Sequence, residues 1–180
     1  MRKWTNEEDL IQKLKNDFKA NAIKATIRRE RGGYTTSLII TVKTEDSNFV
    51  PFEEYVKSYK PHPNDIIYTD NHGMSIDFWT WQELPDDERE RVKAFDAKVV
   101  YNYQHEENAQ INHYFVEKYD AFTSDFQDKL KKIVEICNSY NYDKSDSQRD
   151  YFEVGFYMNL RLRNKNLKEV AWNEILESYY

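Results

Sequence analysis

The fold is decided by residues 22–43, which read AIKATIRRERGGYTTSLIITVK. Two runs of alternating apolar and polar residues flank the pair Gly32-Gly33, and this pattern is typical of a β-hairpin with a two-residue turn. If the two glycines form the turn, Ile27 faces Leu38 and a single face of the hairpin collects six apolar residues. These six are Ile23, Ala25, Ile27, Leu38, Ile40 and Val42. We therefore predict a hairpin with one buried face.

Helices and further strands follow the hairpin in the predicted order. Apolar residues at helical spacing predict helices over 6–20, 52–59, 85–103, 124–137 and 167–178. The inner stripe of the third of these helices is predicted as Val92, Phe95, Val99 and Tyr103. Short strands are predicted at 66–68 and 74–78, and a late strand at 151–163, whereas 105–115 is predicted as a polar linker or bend.

This order predicts an α+β fold in which an antiparallel sheet is built on the N-terminal β-hairpin and the late strand, with helices packed on one face. The length of 180 residues suits one domain over 1–180. Within it we distinguish three segments: a helix with a basic hairpin over 1–43, an acidic mixed segment over 44–110, and a helix-strand-helix segment over 111–180.

The net charge of -6 is unevenly distributed along the chain. Residues 1–43 carry 10 basic and 5 acidic side chains, residues 44–110 carry 6 and 15, and residues 111–180 carry 10 and 12. An acidic protein is a poor candidate for nucleic-acid binding as a whole, but a local basic patch can still serve. Three interpretations of the acidic middle segment are open: it is a solvated surface, it faces a basic partner, or it imitates nucleic acid.

Composition excludes several classes of site. The four glycines, at positions 32, 33, 73 and 155, leave no glycine-rich phosphate cradle. The single cysteine, Cys137, excludes a disulfide framework and is predicted to be a core residue. We expect no cofactor and no metal, because the four histidines lack helical metal-site spacing. Without a signal or membrane-spanning run, we expect no membrane association and a cytoplasmic location.

The tip of the hairpin is the candidate binding site. Three arginines, Arg28, Arg29 and Arg31, lie close to Tyr34, and such a group can clamp phosphates and stack a base of RNA or DNA. Arginine planes also bind acidic protein surfaces, and charged side chains protect hairpin edges from pairing, so both alternatives stay open. The remaining candidate residues of this site are Lys24, Gly32 and Gly33.

Catalysis at this tip is left open. RNA cleavage there needs no metal, because the 2′-hydroxyl can attack its own phosphate while an arginine stabilises the growing charge. Glu30 is a candidate base, but neighbouring arginines favour its ionised, weakly basic form. Tyr34 could transfer a proton only with a lowered pKa. No complete catalytic set can be assigned from the sequence.

Two segments carry a resemblance to known families. Phe18 through Val42, FKANAIKATIRRERGGYTTSLIITV, resembles the large polyvalent protein-associated domains of Firmicutes mobile elements, which carry a helix followed by a basic hairpin. Tyr140 through Leu160, YNYDKSDSQRDYFEVGFYMNL, resembles a segment found with that hairpin in plasmid and phage proteins. Some proteins of this kind are anti-CRISPR inhibitors of the type II-A effector nuclease.

The resemblance implies an inhibitor that acts on the guide RNA of the type II-A CRISPR-Cas effector, by truncation or loss of that RNA, inside the bacterial host cell. It implies that Arg28, Arg29, Arg31 and Tyr34 reach the guide RNA. No nuclease motif accompanies it, so any cleavage is expected to depend on the effector complex. The alternative is a non-enzymatic binding module whose acidic segment occludes the nucleic-acid channel of the effector or of a restriction enzyme. The sequence fixes no oligomeric state.

Overall fold

The computed structural model describes residues 7–32, 35–70, 74–104, 108–141 and 154–163. Helices and strands alternate along these ranges much as the residue pattern predicts. The helices are α1 (Glu7–Ala20), α2 (Phe52–Ser58), α3 (Phe78–Gln82), α4 (Asp86–Gln104) and α5 (Ser124–Tyr140). The strands are β1 (Ala25–Gly32), β2 (Thr35–Lys43), β3 (Ile66–Tyr68), β4 (Ser75–Asp77), β5 (Gln110–Ile111) and β6 (Tyr157–Arg163). The predicted helix over 167–178 lies outside the described residues.

Four of the described strands form the main sheet, in the order β1-β2-β6-β5. The α+β class, the N-terminal hairpin and its late partner strand are confirmed. The prediction of a wholly antiparallel sheet is wrong, because β2 and β6 run parallel while the other two pairs are antiparallel. Parallel neighbours require a crossover connection. Among the described residues, the connection between β2 and β6 contains the helices α2 to α5.

The hairpin register differs from the predicted one by two residues. Ile27 pairs with Ile40 rather than with Leu38, and Gly32 pairs with Thr35. Residues 33 and 34 therefore connect the strands and lie outside the described residues, whereas the prediction had placed Gly32-Gly33 in the turn. Because strand side chains alternate with a period of two, an even shift keeps the same apolar residues on the buried face.

The core lies between that face of the sheet and the helices α1 and α5. Leu38, Ile40 and Leu160 form its centre and are almost completely buried. The apolar stripes of α1 and α5 meet them there. The buried members of these stripes are Leu10, Leu14, Phe18, Phe126, Leu130, Ile133 and Cys137. Burial raises the pKa of the Cys137 thiol to about 12, so the thiol stays protonated and the prediction of a core residue is confirmed.

Helix α4 buries Val92 as predicted, but the rest of its buried face differs from the predicted stripe. Tyr103 was placed on the inner stripe but is 63% exposed, whereas Asp96, Tyr101 and Gln104 are buried. The Tyr59 hydroxyl donates to Asp96 Oδ2 at 2.6 Å. A pattern search for apolar residues misses this face, because polar side chains occupy it and form hydrogen bonds with groups of other elements, such as the Val50 carbonyl and the Ala121 N–H.

The predicted linker over 105–115 contains a strand. Its two residues, Gln110 and Ile111, pair with Arg161 and Leu160 of β6, and Ile111 is buried. A two-residue strand has too few residues for alternation to be recognised. Its pairing forms the far edge of the main sheet and brings Gln110 beside Arg161.

Strands β3 and β4 form a separate antiparallel pair, as predicted from residues 66–68 and 74–78. This pair contacts α3 and α4. Ile67 is fully buried, and the backbone N–H of Tyr68 donates to Asp96 Oδ1 at 2.9 Å. The buried carboxylate of α4 therefore holds the edge of β3 in place.

Candidate nucleic-acid interface

The main sheet has a second face, opposite the core, which we call the outer face. Because successive strand residues point to opposite faces, the residues of β1, β2, β5 and β6 that do not point toward the core lie on it. Its members, leaving aside the pair Gly32 and Thr35 at the end of the hairpin, are Thr26, Arg28 and Glu30 of β1, Ser37, Ile39, Thr41 and Lys43 of β2, Gln110 of β5, and Tyr157, Asn159, Arg161 and Arg163 of β6. Lys24, the residue before β1, is exposed and continues the same alternation. Five of these side chains are basic, and Glu30 is the acidic one.

The basic residues of the outer face differ from those of the helices in their partners. On the described helices, six lysines and arginines pair with carboxylates three or four residues away, as in Lys13–Asp9 at 2.6 Å and Lys132–Glu135 at 3.0 Å. Within the described ranges, none of the five basic residues of the outer face has such an ion pair. The outer face therefore concentrates positive charge that the described carboxylates do not neutralise.

An open cavity of about 270 Å³ lies at the β5 and β6 side of this face. Its lining is rich in hydrogen-bond donors and contains no carboxylate. The lining residues are Thr41, Asn108, Gln110, Arg161, Leu162 and Arg163. The β5–β6 pairing creates it, since Gln110 lies opposite Arg161 and Thr41 follows in the same row on β2. Guanidinium, amide and hydroxyl donors together suit an anion such as a phosphate group.

Arg161 is held in place by a neighbour on its own strand. Its Nε–H donates to Asn159 Oδ1 at 3.1 Å, and both residues are partly buried. Its Nη groups have no hydrogen-bond partner among the described residues. Arg163 lies two residues further, about 7 Å along an extended strand, on the same face. Two guanidinium groups therefore border one cavity, and the first of them is oriented by hydrogen bonding.

An aromatic side chain lies at the other end of β6. Tyr157 is 44% exposed and pairs with Ser37 of β2. Exposed aromatic rings on a sheet face are stacking platforms for the bases of single-stranded nucleic acid. In the row between Tyr157 and the arginines, Ile39 is buried, although it lies on the outer face. The face thus offers an exposed ring and a donor-rich cavity, and the buried Ile39 lies between them.

The structure separates the residues that the sequence grouped at the hairpin tip. Lys24 and Arg28 lie on the outer face, whereas Arg29 lies on the core side, opposite Leu38. Arg31 lies on that same core side, opposite Thr36, and Gly32 ends the strand. Gly33 and Tyr34 lie outside the described residues. Consecutive strand residues point in opposite directions, so the three arginines cannot form a single clamp.

Sequence reasoning missed Lys43, Arg161 and Arg163. The signal was present in the run YMNLRLR at 157–163, in which Met158, Leu160 and Leu162 alternate with other residues. Applying the same alternation to its outward residues gives tyrosine, asparagine, arginine and arginine. What the sequence did not show is the parallel pairing of β6 with β2, which brings these residues beside Thr41 and Lys43.

The described residues offer little chemistry besides this face. No three histidine, cysteine, aspartate or glutamate side chains in these ranges are placed to hold a metal ion, and no described helix is long and apolar enough to cross a membrane. Burial raises the pKa of Asp96, more than its two hydrogen bonds lower it. Burial and the bond to Asp96 raise the pKa of Tyr59. This pair is enclosed between helices and joins structural elements.

Comparison with known proteins adds no evidence to these structural observations. No family model, no curated protein and no solved structure matches this chain.

Proposed function

We propose that this protein binds single-stranded RNA across the outer face of its main sheet. The observation that carries the proposal is the group of five basic side chains on this face without a described ion-pair partner, in a chain whose net charge is -6. Phosphate contacts dominate nucleic-acid affinity, so an acidic protein needs such a local concentration of positive charge.

The arrangement favours a single strand over a duplex. Tyr157 offers a ring on which an unpaired base can stack, and the cavity beside Arg161 and Arg163 accepts a phosphate group. Bases within a duplex are already stacked on their neighbours and are not available to such a ring. Arg28 and Lys43 extend the positive surface across the sheet toward the hairpin.

The target in the cell is proposed from the resemblance of residues 18–42 and 140–160 to proteins of mobile elements. We place the protein among anti-CRISPR inhibitors that act on the guide RNA of a type II-A effector nuclease in the bacterial cytoplasm. The effector and its guide RNA are the proposed partners. The described residues of the outer face contain no acid-base pair, so cleavage of the RNA is assigned to the complex with the effector rather than to this chain alone.

A denaturing gel tests the proposal directly. Effector, guide RNA and this protein are mixed, the RNA is analysed on the gel, and cleavage of a target DNA is measured in parallel. Shortened or lost guide RNA with reduced target cleavage is the expected result. The variant Arg161→Gln with Arg163→Gln should leave the RNA intact, whereas Lys131→Ala with Lys132→Ala, which removes the same charge from α5, should behave as the unmodified protein.

The other outcomes of this gel are equally informative. Intact guide RNA with full target cleavage would refute inhibition. Intact guide RNA with blocked target cleavage would refute action on the RNA and favour occlusion of the nucleic-acid channel by the acidic segment over 44–110. A direct binding assay with a labelled single-stranded RNA tests RNA binding by the outer face separately from inhibition of the effector.

A further inference from the structure

A second surface lies on the unit formed by β3, β4 and α3, which we call the β3–β4–α3 unit. Its chemistry is the opposite of that of the outer face. Residues 61–88, which contain the unit, include seven aspartates and glutamates and not a single lysine or arginine. These acidic residues are Asp65, Asp70, Asp77, Glu83, Asp86, Asp87 and Glu88. The last three begin α4, where Asp86 pairs with Arg89 and Glu88 with Arg91.

The unit also exposes large apolar side chains. Ile66 is 65% exposed, Met74 63% and Trp79 67%, and Tyr68 is exposed as well. Strand alternation explains this in part, because Ile67 turns inward and is fully buried while its neighbours Ile66 and Tyr68 face away. Exposed apolar groups that collect on one small unit mark an interaction site rather than scattered surface residues.

Acidic and apolar groups are direct neighbours here. Ile66 pairs with Asp77 across the two strands, and Tyr68 pairs with Ser75. Asp77 is fixed by α3, since its carboxylate accepts the backbone N–H of Thr80 at 2.9 Å and the Thr80 hydroxyl at 3.0 Å. These bonds lower the pKa of Asp77 and keep it ionised. A partner that covers Ile66 must therefore also meet a carboxylate.

We propose that the β3–β4–α3 unit is a docking surface for a protein segment that presents arginine together with apolar side chains. Charge complementarity selects this occupant: Asp65, Asp77 and Glu83 have no ion-pair partner among the described residues, so they repel nucleic acid and attract a basic surface. Arginine suits the unit better than lysine, because its planar group stacks on Trp79 or Tyr68 and pairs with a carboxylate through two hydrogen bonds. The inference is independent of RNA binding by the outer face.

Two synthetic peptides test it. Both are labelled helical peptides of 16 residues with the same number of arginines on one face. The opposite face carries leucine in the first peptide and serine in the second. Fluorescence anisotropy at about 0.15 M salt, where charges beyond about 8 Å are screened, measures their affinities for the full chain. We expect the arginine-leucine peptide to bind at least about tenfold more tightly, which corresponds to about 1.4 kcal/mol.

Variants locate the binding surface. Trp79→Ala and Ile66→Ser should each remove most of this tenfold preference. Both side chains are about two-thirds exposed, so the fold should persist, and circular dichroism checks this. Tyr114→Ala is the matched control, because Tyr114 is a similarly exposed aromatic residue elsewhere on the chain. It should leave the preference unchanged.

Three results would overturn the proposal. Equal affinity for the two peptides would show that negative charge alone attracts them, and an unchanged preference in Trp79→Ala and Ile66→Ser would move the binding to another surface. No binding of either peptide would exclude a basic segment as the occupant. The Arg161→Gln, Arg163→Gln variant should bind both peptides normally, so failure here is distinguishable from failure of the RNA proposal.

Discussion

Removing two charges from the outer face gives the most quantitative test of RNA binding. The perturbation is Arg161→Gln together with Arg163→Gln, which keeps most of the length of both side chains and removes only the guanidinium charges. Both residues lie on the outer face of β6 and border the cavity there. Their backbone pairing with β2 is unaffected, so we expect little change in the free energy of unfolding.

The expected magnitude follows from counterion release. For single-stranded nucleic acid the logarithm of the binding constant falls with the logarithm of the salt concentration by about 0.7 per phosphate neutralised. If all five basic residues of the outer face contact phosphates, the slope is about -3.5, and a fourfold rise in salt weakens binding about 100-fold. With three of these residues left, the slope is about -2.1 and the same rise weakens binding about 20-fold.

The assay is anisotropy of a labelled single-stranded RNA, titrated with protein between about 50 and 200 mM salt. Lys131→Ala with Lys132→Ala removes the same charge from helix α5 and should retain the slope of the unmodified protein. A slope for the unmodified protein shallower than about -1.4, the value for two contacts, would refute binding across the sheet face. So would a double variant at Arg161 and Arg163 that keeps the full slope.

Three further outcomes are expected. Arg28→Gln should weaken RNA binding about three- to tenfold in the same anisotropy assay, whereas Arg29→Gln on the core side should leave it unchanged; equal losses would contradict the strand alternation. Ile111→Ala should lower the free energy of unfolding in urea by about 2–5 kcal/mol, because β5 fills the core edge; a loss below about 1 kcal/mol would make β5 dispensable. Burial raises the pKa of Asp96 in the folded protein above its ordinary value of 3.8. The contribution of Asp96 to the free energy of unfolding therefore falls as pH rises from 3.8 to the folded pKa, and it is constant above the folded pKa. Urea titrations from about pH 4 to 8 should therefore show Asp96→Asn gaining stability relative to the unmodified protein as pH rises, and a pH-independent difference would exclude this titration.

Local patterns in the sequence predicted most elements because their signals are short-range. The stripe of Leu10, Leu14 and Phe18 on α1 and the alternation of β1 and β2 are each complete within about ten residues. The direction of β6 relative to β2 could not be predicted in this way, since it depends on how the long connection between them returns. The hairpin register was wrong by two for a related reason: an even shift preserves burial, so the apolar pattern cannot distinguish the two pairings.

The candidate site was predicted only in part, because a cluster in sequence is not a cluster on a strand. Arg28 and Arg29 are neighbours along the chain but occupy opposite faces of the sheet. Arg161, more than a hundred residues away, lies on the same face as Arg28 because β6 pairs with β2. The basic residues of the outer face are brought together by pairing between strands that are distant in sequence, and a short stretch of sequence does not reveal this pairing.

Segregation of charge explains how this acidic chain can bind a polyanion. The carboxylates of the β3–β4–α3 unit repel RNA wherever salt does not screen them, and the screening length is about 8 Å at physiological salt but about 30 Å at 0.01 M. At physiological salt the RNA therefore responds mainly to the basic residues nearest to it, including Arg161 and Arg163. Below about 50 mM the acidic unit acts over a longer range, and the log-log salt plot should flatten. Neutralising Asp65, Asp70 and Asp77 as asparagines should restore a straight line, whereas a plot already straight at low salt would show that the unit exerts no field on the bound RNA.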